Sequence, residues 1–320
     1  MDTHILISNL TNPTLLFFVL GVLASRIRSD LEIPAASVKF ISLYLLFSIG
    51  FRGGQELAHS TFTSEIAWSL VFGLLIATAI PAYTFFILKR KLSVADSGAI
   101  AAAYGSVSAV TFVAASSFLE SQQLTFGGHM VAVMALMESP AILVGVVLMI
   151  IYDAQSTSRS TLGPMIRHAF TNGSVLMIVG SLIIGLIADV KQAEGIKPFT
   201  TDIFKGFLAI FLLEMGLVTG AKLGAFRRYG WFSLAFAIVI PCVNGCGIAA
   251  ISHLVSADYG NRFMFSILAA SASYIAVPAA MRLAAPKADP GLYIPMALAV
   301  TFPFNITVGM PLYAFVIQHT

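Results

Sequence analysis

Two polar stretches interrupt apolar segments of the chain, and they carry the side chains best suited to bind a small anion. They are SVSAVTFVAA, from Ser106 to Ala115, and SASYIAVPAA, from Ser271 to Ala280, and they align without gaps. Within a bilayer, unwound backbone survives only where it is buried in protein or lines a watery cavity. A broken helix also offers N-terminal N–H groups to an anion, without any arginine. We therefore predict an anion site that includes the hydroxyls of Ser106, Ser108, Thr111, Ser271 and Ser273.

A simpler interpretation of these serines is that they are small residues at helix contacts. Small side chains let membrane helices pack closely, and we assign Ser116 and Ser117 that role. The alignment of both hydroxyl pairs, with Pro278 inside the second stretch, favours a binding site instead.

A carboxylate and a carboxamide occupy two later apolar segments. Glu138 lies midway along MALMESPAIL, where a charge is costly unless a cation, a proton or a cavity accompanies it. It could ligate sodium with Ser139, since a hard cation prefers oxygen donors, or carry a proton, or pair with a neighbouring helix. Asn305, within TFPFNITVG, could ligate the ion or tie helices together. Glu214 could serve pairing, an oligomer contact or the substrate, whereas Tyr274 could gate, donate a hydrogen bond or pack.

Sequence motifs for covalent or redox catalysis are absent. The chain has no P-loop, no HExxH, no CxxC and no nucleophile elbow. Cys242 and Cys246 are four residues apart, which places two thiols on one helix face without a second pair to complete a metal site. The sequence therefore predicts neither an enzyme nor a cofactor.

The composition is that of a membrane protein. Of 320 residues, 58% are hydrophobic and only 10% charged, and the mean hydropathy is +0.90. These values predict an all-α integral membrane protein with about ten spans. The net charge of +3 is small and gives no reason to expect a nucleic acid partner. The predicted spans are Pro13–Arg26, Pro34–Gly50, Ser64–Leu88, Ala95–Glu120, Gly127–Tyr152, Gly173–Val190, Phe199–Gly220, Gly230–Leu254, Asn261–Arg282 and Gly291–Ile317.

The two halves of the chain match at a nearly constant offset. Gly21–Pro34 lies over Gly185–Pro198, Gly50–Leu57 lies over Gly216–Leu223, and the polar stretches fall in the fourth and ninth spans. An odd number of spans per half makes the repeat inverted, an arrangement typical of secondary transporters. The predicted organisation is a first repeat at 1–152, a cytoplasmic linker at 153–170 and a second repeat at 171–320, with one broken helix in each repeat.

Lysine and arginine in the connections predict the orientation. With both termini outside, basic residues favour the cytoplasmic loops by about three to one. The cytoplasmic set is Arg26, Arg28, Lys89, Arg90, Lys91, Arg159, Arg167, Lys222, Arg227, Arg228, Arg282 and Lys287.

Long runs of the chain match one family in order and spacing. They are SIGFRGGQEL from Ser48, YGSVSAVTFVAA from Tyr104, ESPA from Glu138, ILAASASYIAVPAAMRLAAPKADP from Ile267 and GLYIPMALAVTFPFNITVGMPLY from Gly291. In these runs the sequence resembles the sodium-dependent bicarbonate transporters of the cyanobacterial carbon-concentrating system. The resemblance implies sodium-coupled symport of bicarbonate or a similar small monoanion by an elevator-like mechanism. It also implies a homotrimer in a bacterial inner membrane.

Site residues follow from this resemblance together with the motifs. The anion is expected at Ser106, Val107, Ser108, Ala109, Ser271, Ala272, Ser273 and Tyr274, and sodium at Ser108, Thr111, Glu138, Ser273 and Asn305. Cyanobacterial members carry an aspartate where this chain has Tyr274, which leaves substrate and ion stoichiometry open. The linker is short here, so the case for a PII-like cytosolic regulator is weak.

Two other functions remain open on the sequence. One is a proton-coupled carrier of another small organic anion, with Glu138 as the proton carrier. The other is a membrane sensor that binds an anion without transporting it and signals through residues 153–167. Proton-driven uptake would mark the first, and binding without flux would mark the second.

Overall fold

The computed structural model describes residues 11–152, 173–222 and 230–320, and every regular element in these ranges is a helix. The predicted linker at 153–170 and the basic residues Arg159, Arg167, Arg227 and Arg228 lie outside the described residues. In the first half the helices are α1 (Pro13–Arg26), α2 (Ala35–Ala58), α3 (Ser64–Leu88), α4 (Val94–Gly105), α5 (Ala109–Ser121) and α6 (His129–Tyr152). In the second half they are α7 (Gly173–Ile187), α8 (Val190–Lys197), α9 (Phe204–Lys222), α10 (Gly230–Ile251), α11 (Tyr259–Ala270), α12 (Ala276–Ala284) and α13 (Pro290–Gln318).

Seven helical segments are long and apolar enough to cross a membrane, and α1 and α7 are shorter apolar helices. The predicted bounds of α1 and α3 agree with the structure, and most other ends differ by a few residues. The exceptions are α2, which continues to Ala58 instead of ending at Gly50, and α8, a short helix where the sequence predicts a connection.

Glycines bring two pairs of helices into backbone contact. A Cβ atom added at Gly21 of α1 would lie 2.8 Å from the backbone nitrogen of Leu217 in α9. A Cβ atom added at Gly54 of α2 would likewise lie 2.8 Å from the nitrogen of Leu186 in α7. Small residues at such crossings are the usual means of close packing in membranes.

Both predicted breaks are present as interruptions of the helix. Ser106 ends α4 with extended backbone (φ −83°, ψ 166°), and Ser108 precedes α5 with φ −100° and ψ 106°. Ser271 ends α11 with nearly the same angles as Ser106 (φ −78°, ψ 163°), and α12 begins at Ala276. The described part of the chain therefore contains four half-helices arranged as two broken helices.

Candidate functional site

The two breaks lie directly against each other, joined by hydrogen bonds between their main chains and side chains. The backbone N–H of Ser273 donates to the carbonyl oxygen of Ala103 at 2.8 Å. The backbone N–H of Ser108 donates to Ser271 Oγ at 3.0 Å. The second break thus supplies a partner for the N–H of Ser108, and the last turn of α4 supplies one for the N–H of Ser273, as backbone in hydrocarbon requires. The structure brings together the serines that the sequence predicted as a site.

The serine hydroxyls at this crossing are buried and already take part in capping. Ser271 Oγ donates to the carbonyl of Leu268 at 3.0 Å, and Ser108 Oγ accepts the N–H of Thr111 at 3.2 Å. Ser273 Oγ accepts a longer bond, at 3.5 Å, from the N–H of Val277. A Ser at an N-cap satisfies a donor in the first turn, and Ser108 does this for α5, which begins at Ala109.

The other predicted anion-site residues surround these hydroxyls. Val107 and Ala272 are buried within the breaks, Ala109 is half-buried at the first position of α5, and Ser106 is fully buried. Ser106 Oγ donates to the carbonyl oxygen of Glu138 at 3.4 Å, which joins the first break to α6.

The first turns of α5 and α12 leave backbone donors at the crossing. Within the described residues, the N–H groups of Ala109, Val110 and Ala276 donate no hydrogen bond. Helix N-termini carry partial positive charge, so free N–H groups there attract an anion. The free N–H groups that follow Ser108 at the crossing can therefore attract a monoanion without an arginine.

Tyr274 separates the crossing from a cavity of about 840 Å³, the vestibule. The vestibule is lined by the first turns of α2 and α7, by the middle of α9, and by Tyr274, Ile275 and Leu298. Its charged lining residues are Lys39 and Glu214, and Glu214 forms no ion pair with a described residue. The Tyr274 hydroxyl is buried near Ser108 but has no hydrogen bond of good geometry. Tyr274 is the predicted site residue that faces this access route.

Glu138 lies beside the first break, half-buried on α6 between the buried residues Met134 and Ala141. Its backbone carbonyl contacts Ser106, but its carboxylate forms neither a hydrogen bond nor an ion pair with any described residue. A carboxylate in apolar surroundings without a partner is unstable unless a cation or a proton neutralises it. The structure therefore gives no support to pairing of Glu138 with a neighbouring helix.

Asn305 of α13 ties the end of α11 to its own helix. Its Nδ2 donates to the carbonyl oxygen of Ala270 at 2.8 Å, and its Oδ1 accepts the hydroxyl of Tyr313 at 2.9 Å. Ala270 is the last residue of α11, so Asn305 satisfies a carbonyl that the break leaves without a helical partner. The geometry supports the tie between helices, while the role of Asn305 as a sodium ligand stays a prediction.

A further polar chain near the crossing was not predicted from the sequence. Thr301 Oγ1 donates to the carbonyl of Ala237 at 2.7 Å, and Tyr104 OH lies 2.7 Å from Thr301 Oγ1. These residues join α4, α10 and α13 just before the first break. The sequence signal was only scattered hydroxyls in apolar helices, which do not reveal a shared contact.

The comparison with protein families decides the identity. The sequence model of the Na⁺-dependent bicarbonate transporter superfamily matches residues 13–318, nearly the whole chain. The chain belongs to this superfamily. It is therefore a multi-pass membrane transporter and not an enzyme. No curated protein matches the chain.

A superfamily member that uses sodium does not need a cluster of metal-binding side chains. In the described residues no group of three or more His, Cys, Asp or Glu side chains comes together, and Cys242 and Cys246 are free thiols. Sodium is a hard cation that hydroxyl, carbonyl and single carboxylate oxygens can hold. The predicted ligands Ser108, Thr111 and Ser273 are of this kind.

Proposed function

We propose that this protein is a sodium-coupled symporter of bicarbonate or a similar small monoanion, with its site at the crossing of the two breaks. The observation that carries the proposal is the crossing itself, where Ser108 N–H donates to Ser271 Oγ and Ser273 N–H donates to Ala103. Membership of the Na⁺-dependent bicarbonate transporter superfamily supports the same substrate and coupling ion.

The proposed topology is ten spans in two inverted halves, 1–152 and 171–320. Seven long segments, the two shorter helices α1 and α7, and the broken pair α11 and α12 would together supply the ten proposed passes. The two glycine crossings support the repeat, because α1 meets α9 in the manner in which α7 meets α2. By these contacts, Gly54 is the structural equivalent of Gly216. The sequence alignment instead pairs Gly216 with Gly50, which lies one helical turn before Gly54.

A small planar monoanion suits the donors at the crossing. The N–H groups of Ala109, Val110 and Ala276 and the hydroxyls of Ser106, Ser108 and Ser273 are neutral, so they match a single negative charge. Bicarbonate offers three oxygens to such donors, and its own O–H can donate to a carbonyl or hydroxyl. The buried surroundings favour a compact anion over a bulky one.

Glu138 and the nearby oxygens are proposed to supply the coupling. Moving a lone anion into an apolar site is costly, and a cation that enters with it offsets much of that cost. Sodium held by Glu138, Ser108, Thr111 and Ser273 would also strengthen anion binding, and by linkage the anion would strengthen sodium binding equally. In this scheme sodium and the anion are coupled because each stabilises the binding of the other in a site without water.

Alternating access is proposed to be elevator-like. The broken helices α4–α5 and α11–α12 would move with the site, while α1, α2, α7 and α9 would form the scaffold. The vestibule lies between these groups, since scaffold residues form its walls and Tyr274 and Ile275 of the second break form its floor. A homotrimer, a bacterial inner membrane and termini outside are further proposals, and a PII-like regulator is the weakest of them.

The test is uptake of labelled bicarbonate into proteoliposomes under an inward sodium gradient. We expect accumulation that disappears when potassium replaces sodium. Uptake that ignores sodium but follows an imposed proton gradient would replace this proposal by the proton-coupled carrier. That second candidate rests on the lone carboxylate of Glu138, which a proton would neutralise as well as sodium would. The loop required by an anion sensor, 153–167, lies outside the described residues.

A further inference from the structure

A group of three charged side chains joins the broken helix α5 to two other helices at the end of the molecule far from the vestibule. Arg52 Nη2 of α2 lies 3.0 Å from Glu120 Oε1, and Lys205 Nζ of α9 lies 3.3 Å from Glu120 Oε2. Glu120 stands near the end of α5, and each of its carboxylate oxygens serves a different cation. We call this group the Glu120 clamp.

The clamp and the vestibule lie at opposite ends of the same helices. Along α2, Lys39 of the vestibule and Arg52 of the clamp are roughly 20 Å apart at the rise of an α-helix. Along α9 the order is reversed, with Lys205 in the first turn and Glu214 further on. The crossing of the breaks therefore lies between an open vestibule at one end and the clamp at the other.

The clamp is only partly buried, which limits its strength. The side chains of Arg52 and Glu120 are 31% and 26% exposed, and that of Lys205 is 55% exposed. Ion pairs with this exposure stabilise a structure modestly and are weakened by salt. A contact that must open in every transport cycle needs this property, because a fully buried pair would hold one state too firmly.

From this arrangement we propose that the Glu120 clamp is a latch that holds α5 against α2 and α9 while the vestibule is open. Neutralising Glu120 would release the latch and favour the state that is open at the clamp end. The proposal extends the proposed function, since it assigns α5 to the moving part. It concerns the balance between two states and not the chemistry of the site.

Cysteine labelling measures that balance directly. Ser42 lines the vestibule, and Ser116 lines a small depression between Arg52 and Glu120. In a background with Cys242→Ala and Cys246→Ala, a Ser42→Cys variant reports the vestibule and a Ser116→Cys variant reports the clamp end. The rates of reaction with a small maleimide would be measured with Glu120 intact and in Glu120→Gln.

For a clamp of this exposure we expect about a fivefold change in the equilibrium between the two states. Glu120→Gln should raise the labelling rate of Ser116→Cys about threefold and lower that of Ser42→Cys by about 40%. Arg52→Gln added to Glu120→Gln should give little further change, because their pair is already lost. Choline chloride should screen the ion pairs of the clamp, so in the protein with Glu120 it should change both labelling rates in the same direction as Glu120→Gln does. Its effect on the Glu120→Gln variant should be smaller.

Glu194→Gln is the matched control, because Glu194 is an exposed carboxylate on α8 without an ion pair to a described residue. Its rates should equal those of the parent. Unchanged rates in Glu120→Gln would overturn the latch, and faster labelling at both positions would show general loosening instead. Labelling requires neither substrate nor flux, so absence of bicarbonate uptake would not affect this result. Normal bicarbonate uptake together with unchanged labelling rates would overturn the latch proposal but not the proposed function.

Discussion

The hydroxyl of Ser271 serves both broken helices, because it accepts from Ser108 N–H and donates to the carbonyl of Leu268. Its removal would leave a buried backbone N–H without a partner. We therefore expect Ser271→Ala to lower the free energy of unfolding by about 1–3 kcal/mol. Thermal unfolding of detergent-solubilised protein checks this, with Ser37→Ala on the exposed surface of α2 as the control. Equal midpoints for the two variants would contradict the crossing.

Ser108 and Ser273 offer hydroxyls at the proposed anion site. Ser108→Leu and Ser273→Leu should each abolish uptake while leaving a folded protein, since an apolar side chain blocks the space and offers no donor. Ser108→Ala and Ser273→Ala remove only the hydroxyl, and we expect uptake to fall about tenfold or more in each, the loss of one strong hydrogen bond. Ser37→Leu should transport normally. Full flux in either Leu variant would place the site elsewhere.

Glu138→Gln separates a coupling role from a structural role. The carboxylate has no partner among the described residues, so its neutralisation should leave the unfolding midpoint unchanged or slightly higher. Sodium-dependent uptake should nevertheless be lost. The paired measurement is uptake and thermal unfolding on one preparation. A variant that unfolds early and transports poorly would show a structural carboxylate, contrary to the proposal.

At the residue scale the sequence pointed to the serines that the structure brings together, whereas it did not reveal which residues line the vestibule. Ser106, Ser108, Ser271 and Ser273 were accessible to sequence reasoning because polar residues in apolar segments are conspicuous. The position of Glu214 in the vestibule wall was not, since facing a cavity depends on how α9 packs against α2 and α7.

At the scale of elements, the glycine crossings make a sharp prediction. Gly21→Ala and Gly54→Ala each force a Cβ atom to within 2.8 Å of a backbone nitrogen of the facing helix. We expect each to lower stability by about 1–3 kcal/mol, as overpacking does. Gly180→Ala in α7 is the control, because its Cβ would meet nothing within 4 Å, and it should be neutral or slightly stabilising. Thermal unfolding distinguishes the two classes, and equal midpoints would contradict the close approach.

Helix ends show where tertiary contacts override the sequence pattern. The run GFRGGQEL has charged residues and glycines, which predict that α2 stops, yet the helix continues to Ala58. There Arg52 pairs with Glu120, while Gly53 and Gly54 lie against α6 and α7. These partners are distant in sequence, so a local pattern could not reveal them. By contrast, the sequence does contain a local indication of α8, because Asp is a favoured N-cap residue. In the structure, Asp189 accepts the N–H of Lys191 at 3.0 Å in that role.

At the scale of the whole molecule, composition and periodicity predicted an all-helical membrane protein, and the family match confirms a transporter. The orientation stays a prediction. It places the vestibule on the cytoplasmic side, because its lining begins at Ala35 and Gly173, which follow predicted cytoplasmic connections. The state of the molecule, open at one end and clamped at the other, could not be predicted, since it depends on the balance between two packings of one sequence.

The measurement that tests the central claim most directly is uptake of ²²Na⁺ into proteoliposomes driven only by a bicarbonate gradient, at equal sodium and pH on both sides. Reciprocal coupling predicts that inward bicarbonate draws sodium with it, and that Ser273→Leu abolishes this flux while Ser37→Leu keeps it. Sodium movement that is the same with and without the bicarbonate gradient would contradict a sodium-coupled site at the crossing of the two breaks.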